Sequence, residues 1–141
     1  MKRRAVIVER AAHRRLRIVD ALRAEYQVDA IEMLDGFVRT VRAIRPEIVL
    51  IGVGRRVQQS TRAAHQIKTD GTQPPLVGMM DWDGRLRDPV SKARDAMADG
   101  VFLGAPSSEE LQRFVVALGE QEDVVIMGER PSSPWKRFLG R

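Results

Sequence analysis

Apolar residues along the chain alternate between short continuous runs and helical spacing. Ala5-Val6-Ile7-Val8 is a largely β-branched run that stops at Glu9-Arg10. Apolar on successive positions, it predicts a strand buried on both faces. Over residues 11–25, Leu16, Val19 and Leu22 share one helical stripe, with Arg14, Arg15, Arg17 and Arg23 outside it; this predicts an amphipathic helix. Residues 28–34 alternate and predict a more exposed strand, which Asp35-Gly36 ends, with Asp35 expected to cap the next helix. Phe37, Val38, Val41 and Ile44 then follow at helical spacing up to Pro46. Ile48-Val49-Leu50-Ile51 is the most apolar run and predicts the central strand, closed by Gly52-Val53-Gly54.

The second half repeats the alternation. Residues 57–69 predict a helix through Val57, Ala64 and Ile67, and Pro74-Pro75 introduces a strand at residues 76–80. Residues 86–99 predict a helix through Val90, Ala93 and Met97, and Val101-Phe102-Leu103 a short fifth strand. Ser107 stands three residues before Glu110, the spacing of a capping box, ahead of Leu111, Phe114, Val115 and Leu118 at i, i+3, i+4 and i+7. Five strands alternating with five helices predict an α/β fold with right-handed crossovers. The expected form is a doubly wound, five-stranded parallel sheet of the flavodoxin type, over residues 1–122. Residues 123–141 are left as a C-terminal extension.

Composition narrows the chemistry. The 141 residues include no cysteine, which removes disulfides, thiolate metal sites and cysteine nucleophiles. No apolar run reaches the ~18 residues of a membrane span, and the one after Met1-Lys2-Arg3-Arg4 is too short for a signal peptide. A cytoplasmic location is therefore expected. The net charge of +5 is uneven. Residues 1–25 carry eight basic and three acidic groups, residues 26–123 twelve and fifteen, and residues 124–141 four and one. Such ends could steer the chain to acidic partners, although a solvated basic surface satisfies the same pattern.

At this point the sequence resembles the receiver domain of bacterial two-component response regulators. The resemblance covers about residues 4–121 and is carried by several pieces in order. These are Val6-Ile7-Val8-Glu9, Asp35-Gly36-Phe37, Arg45-Pro46-Glu47 leading into the central strand, the 97–106 run with its proline turn, and Ser107-Ser108-Glu109-Glu110-Leu111. It implies the fold already predicted, and a phosphorylation site at the strand ends. That chemistry requires an aspartate nucleophile, neighbouring acids to hold Mg²⁺, a hydroxyl and a lysine.

Taken one position at a time, the required groups are missing. Glu9 is followed by Arg10 where the acidic pair should stand. The phosphoacceptor position falls on Gly52, the hydroxyl position on Met80 next to Asp81, and the lysine position on Ala105. Phe102 keeps the aromatic switch position without a phenol oxygen. Arg10 repels a cation, and Glu9 alone is too few ligands for one. The expected molecule is a degenerate receiver, with no enzymatic activity, no cofactor and no metal. Two relocations stay open: an acidic pocket of Glu9, Asp81, Asp83 and Asp88, and an Arg10–Asp81 ion pair in place of the metal.

Other constellations are weak. Gly52-Val53-Gly54 lacks the third glycine of a dinucleotide fingerprint, since that position is Val57. His13 and His65 have no ligand spacing, and Ser60-Thr61 has no partnered base. Asp123 to Gly128 is apolar enough for a further strand at 124–127, on this sheet or on a partner's edge. Trp135, Phe138 and Leu139 form one apolar turn that could dock in cis or on a partner. The expected function is a stand-alone module that binds a signalling protein without phosphorylation, with homodimerisation compatible. The resemblance places the partner face at about residues 86–121, and the expected contact residues are Phe102, Arg94, Arg113, Trp135, Phe138 and Leu139. The rival is nucleic-acid binding through Arg14, Arg15, Arg17 and the basic tail.

Overall fold

A computed structural model describes residues 2–131. The expected Trp135, Phe138 and Leu139 turn lies outside the described residues. The strands are β1 (Arg3–Val8), β2 (Tyr26–Ile31), β3 (Ile48–Gly52), β4 (Leu76–Asp81), β5 (Gly100–Leu103) and β6 (Val125–Gly128). The helices are α1 (Ala12–Leu22), α2 (Phe37–Ile44), α3 (Val57–Thr69), α4 (Pro89–Asp95) and α5 (Ser108–Glu120). All strand pairings are parallel, in the order β2-β1-β3-β4-β5-β6. The doubly wound α/β fold is thus as expected, but among the described residues the sheet has six strands, not five.

The period-two pattern of the strands divides the core. Val6, Val8, Val49, Ile51, Val77, Met79 and Val101 face α2, α3 and α4. Ala5, Ile7, Ile48, Leu50, Met80 and Phe102 face α1 and α5. This two-sided burial is why the strands read as continuous apolar runs. In α1 the core is reached by Ile18, Ala21 and Leu22, whereas Leu16, expected on the stripe, is 60% exposed. Asp35 does not cap α2; Gly36 does, in the left-handed region at φ 76°, with no side-chain hydrogen bond. The fourth helix is shorter than predicted, because Asp88 accepts from the Ser91 N–H at its start and Met97 turns left-handed past its end. The capping box forms as read, with Ser107 and Glu110 bonding reciprocally.

The further strand left open at 124–127 is β6, and it joins this sheet. After α5 the chain returns and pairs with β5 along its whole length, from Gly100 against Val125 to Leu103 against Gly128. The strand continues the same sheet past the expected boundary at 122. Small residues permit the approach. A Cβ on Gly100 would crowd the Val125 carbonyl at 2.7 Å, and one on Gly104 or Gly128 would meet backbone oxygen across the seam.

Candidate functional site

The site expected from the sequence lies where β1, β3, β4 and β5 end. In a parallel sheet these carboxyl ends and the loops that follow share one rim. Glu9 closes β1, its N–H donating to the Ile31 carbonyl at 3.0 Å. Its side chain turns inward and is 6% exposed. Glu9 Oε2 accepts from the Ala11 N–H at 3.1 Å. Glu9 Oε1 has no hydrogen-bond partner among the described residues and lies over Gly52, closer than any Cβ there could tolerate. The space into which a phosphoacceptor side chain would project from β3 is therefore filled by the Glu9 carboxylate.

This contact makes a prediction. The Gly52 backbone is not left-handed, so alanine is conformationally allowed there, and the nearest obstacle is the Glu9 carboxylate. Gly52→Ala should push the Glu9 carboxylate off the Ala11 N–H and cost about 1 kcal/mol. In a Glu9→Ala background the same change should cost close to nothing, a coupling of roughly 1 kcal/mol. Denaturant unfolding of the four proteins measures it; additive costs would refute the packing argument.

Asp81, at the end of β4, is fully buried. Its Oδ1 accepts from the Arg85 N–H at 2.8 Å and its Oδ2 from the Leu86 N–H at 2.9 Å. Both oxygens are thus used to fold the loop after β4. The Arg10–Asp81 ion pair that the sequence leaves open does not form: Arg10 is exposed, and Asp81 is satisfied by backbone amides. Nor do the acids converge into one pocket. Asp83 goes to Arg14, with bonds of 2.7 and 3.1 Å, and Asp88 caps α4. Among the described residues no three acids or histidines come together in a way that could hold a metal ion. The donor set does not fit Mg²⁺, which takes about six oxygen ligands: both Asp81 oxygens and one of Glu9 accept from backbone N–H groups, which leaves Glu9 Oε1 as the one oxygen of the pair without a partner among the described residues.

The remaining positions are structural as well. Met80 is buried in the core on the α1 and α5 side, and Ala105 is exposed ahead of Pro106. Phe102 is 1% exposed and packs edge-on against Phe114, with centroids 5.6 Å apart. This corrects its expected role as a contact residue. The cause is β6, which turns β5 from an edge into an interior strand. Arg94 and Arg113 are exposed as expected, Arg94 lying 3.6 Å from Asp123 ahead of β6.

Trp82 has a place that the sequence reading gave no attention. It is buried beneath α1, with the Arg14 guanidinium 5.2 Å from its ring centre and that of Arg17 at 6.0 Å. Hydrogen bonding from Arg14 holds the Asp83 carboxyl below the usual carboxylate range. A lowered folded-state pKa means that the pair supports the fold at neutral pH and that this support is lost as pH falls through it. Arg15 donates to the Glu9 carbonyl at 2.9 Å, and Arg17 to that of Pro106 at 3.5 Å. The three arginines nominated for nucleic acid on α1 are therefore engaged within the molecule.

The chain after β6 crosses this rim. Glu129 passes over Gly104, Arg130 donates to the carbonyls of Leu86 and Arg87, and Pro131 lies against Gly84. The loop after β4 is consequently held by Asp81 from within the sheet and by Arg130 from the C-terminal side.

No protein-family profile matches the sequence, and no curated protein does. Solved structures do match the fold. The chemotaxis response regulator CheY4 of Vibrio cholerae superposes with a TM-score of 0.72 at 11% identity, over 84% of this chain and 99% of that one. The BeF3-activated DrrB receiver domain gives 0.70 at 17% identity, over 86% and 100%. The receiver domain of the putative response regulator NarL from Mycobacterium tuberculosis gives 0.69 at 16% identity, over 86% and 98%. What these likenesses share with the present chain is the flavodoxin-like receiver fold, to which this chain adds a sixth strand.

Proposed function

We propose that the protein is a receiver-like signalling adaptor that binds a partner protein without being phosphorylated. The observation that carries this reading is the Glu9 carboxylate seated over Gly52. A receiver signals by placing a phosphoryl group there. Here the acceptor is absent, its space is taken, and the loop that should respond is fastened to Asp81 and Arg130. Such a module offers a constant surface rather than a switched one.

That surface lies at the α4–β6–α5 edge, displaced from the expected face by the added strand. Among the described residues, four of the six exposed large apolar ones are there: Val90 and Met97 by α4, Ile126 on β6 and Val116 on α5. Arg94 and Arg113 stand beside them as charged contacts. β6 also presents the unpaired backbone groups of an edge strand, which suits strand addition or a homodimer.

The test captures partners from a nuclease-treated bacterial cytoplasm with the full chain, before and after incubation with acetyl phosphate and Mg²⁺. We expect no phosphoryl adduct by intact mass and the same captured protein in both samples. The capture should be lost in Val90→Asp/Ile126→Asp. An adduct on Glu9 or Asp81 that changes capture would overturn phosphorylation independence. Capture unchanged in the double variant would overturn the edge.

A further inference from the structure

Charge is distributed unevenly in space as well as along the chain. From Gly36 to Thr69 the sequence carries seven basic residues and one acid, Glu47. This span comprises α2, β3 and α3, and the two helices lie side by side over one face of the sheet. Lys68 pairs with Asp99, and Arg42 with Asp70. Arg39, Arg55, Arg56 and Arg62 are exposed and make neither an ion pair nor a side-chain hydrogen bond among the described residues. Asp35 is the exposed acid that flanks them.

Geometry concentrates these charges. Both helices follow parallel strands and start at the carboxyl rim of the sheet, so Arg39 in the first turn of α2 and Arg55 and Arg56 ahead of α3 belong to the same end. Arg62 follows about 9 Å further along α3, at ~1.5 Å per residue. Neither helix has an acidic residue in its first turn or a side-chain cap at its N-terminus. The positive ends of both helix dipoles therefore add to the arginines. Around the arginines the outer surface of α3 is Gln58 and Gln59 before Arg62 and His65 and Gln66 after it, all exposed hydrogen-bonding side chains.

We propose that the α2–α3 face binds the phosphodiester backbone of a nucleic-acid duplex. Guanidinium groups match phosphate geometry, and the intervening glutamines and histidine donate to the same oxygens. None of the exposed large apolar residues lies on these helices, so the face lacks the anchors of a protein interface. Among the described residues it also lacks an exposed aromatic on which an unpaired base could stack, which favours a duplex over a single strand. This assignment is independent of the adaptor reading, whose surface is the α4–β6–α5 edge.

Fluorescence anisotropy of the full chain with labelled mixed-sequence DNA and RNA duplexes of about 20 base pairs tests it, across a KCl series starting near 50 mM. Four phosphate contacts predict a slope of log K against log salt near −3.6, at about 0.9 per contact. Arg39→Ala/Arg56→Ala/Arg62→Ala should bind at least tenfold more weakly at low salt and lose roughly 2.7 of that slope. The charge-matched Arg87→Ala/Arg94→Ala/Arg113→Ala should stay within about twofold of the parent. Circular dichroism melts confirm that both triples fold. Absence of binding at the lowest salt, or equal loss in the two triples, would overturn the proposal. So would a polyglutamate chain that binds as tightly as the duplexes, since the face would then be a site for acidic protein.

Discussion

Asp81→Ala should lower the stability of the fold by about 2–4 kcal/mol. The side chain is fully buried and each oxygen accepts one backbone N–H, from Arg85 and from Leu86. Truncation leaves both donors unsatisfied, and a stranded buried donor costs about 1–3 kcal/mol. Asp81→Asn retains one acceptor and sets an amide N–H₂ against the second donor, so its cost should fall between those of the parent and the alanine variant. Denaturant unfolding gives the totals, and amide exchange gives the location. Protection should drop first at Arg85 and Leu86, while Ile7 and Leu50, at the centre of the sheet, keep theirs until global unfolding. A cost below about 0.5 kcal/mol for Asp81→Ala would mean that Arg130 alone holds the loop.

This role for Asp81 shows where sequence reading ends. Apolar runs buried on both faces identified β1, β3, β4 and β5, because interior strands of a parallel sheet have no polar face to interrupt the run, whereas β2, at the edge, showed as alternation. The capping box located α5 to the residue, because it depends on two side chains three positions apart. That residue 52 is a glycine, with no side chain to carry a phosphoryl group, was equally visible. What fills the space over it was not. Whether Asp81 meets Arg10 or two amides depends on the path of the next five residues, which no local pattern encodes. Leu16 satisfied the helical stripe of α1, yet Ile18 took the core position because α5 packs on that side. Phe102 looked like an edge residue only while β5 was the last strand. Counting charge over residues 26–123 gave a net negative segment and hid the basic α2–α3 face, because acids from later loops were averaged in.

Gly128→Val should be at least as damaging as Asp81→Ala, costing about 3 kcal/mol or more, because it attacks the seam that makes the sheet six-stranded. Gly128 ends β6 at φ 82°, in the left-handed region that β-branched side chains avoid. A Cβ there would also meet the Leu103 carbonyl and the Phe102 ring, neither of which can swing aside: one is strand backbone, the other a core aromatic pinned by Phe114. Relief requires β6 to peel away, which uncovers Phe102 and Val125 and frees Arg130 from the loop after β4. Exchange protection should therefore fall together at 100–103, 125–128 and 85–86. Gly54→Ala is the matched control, because a Cβ there meets nothing within 4 Å and the backbone is not left-handed. It should change stability by less than about 0.5 kcal/mol. A chain ending at residue 122 sharpens the reading, since it removes the strand instead of straining it. If that chain unfolds at the same denaturant concentration as the full one, β6 is an appendage and the partner face reverts to β5. If it loses about as much stability as Gly128→Val, the strand is part of the cooperative core, and any partner must engage the edge that β6 provides.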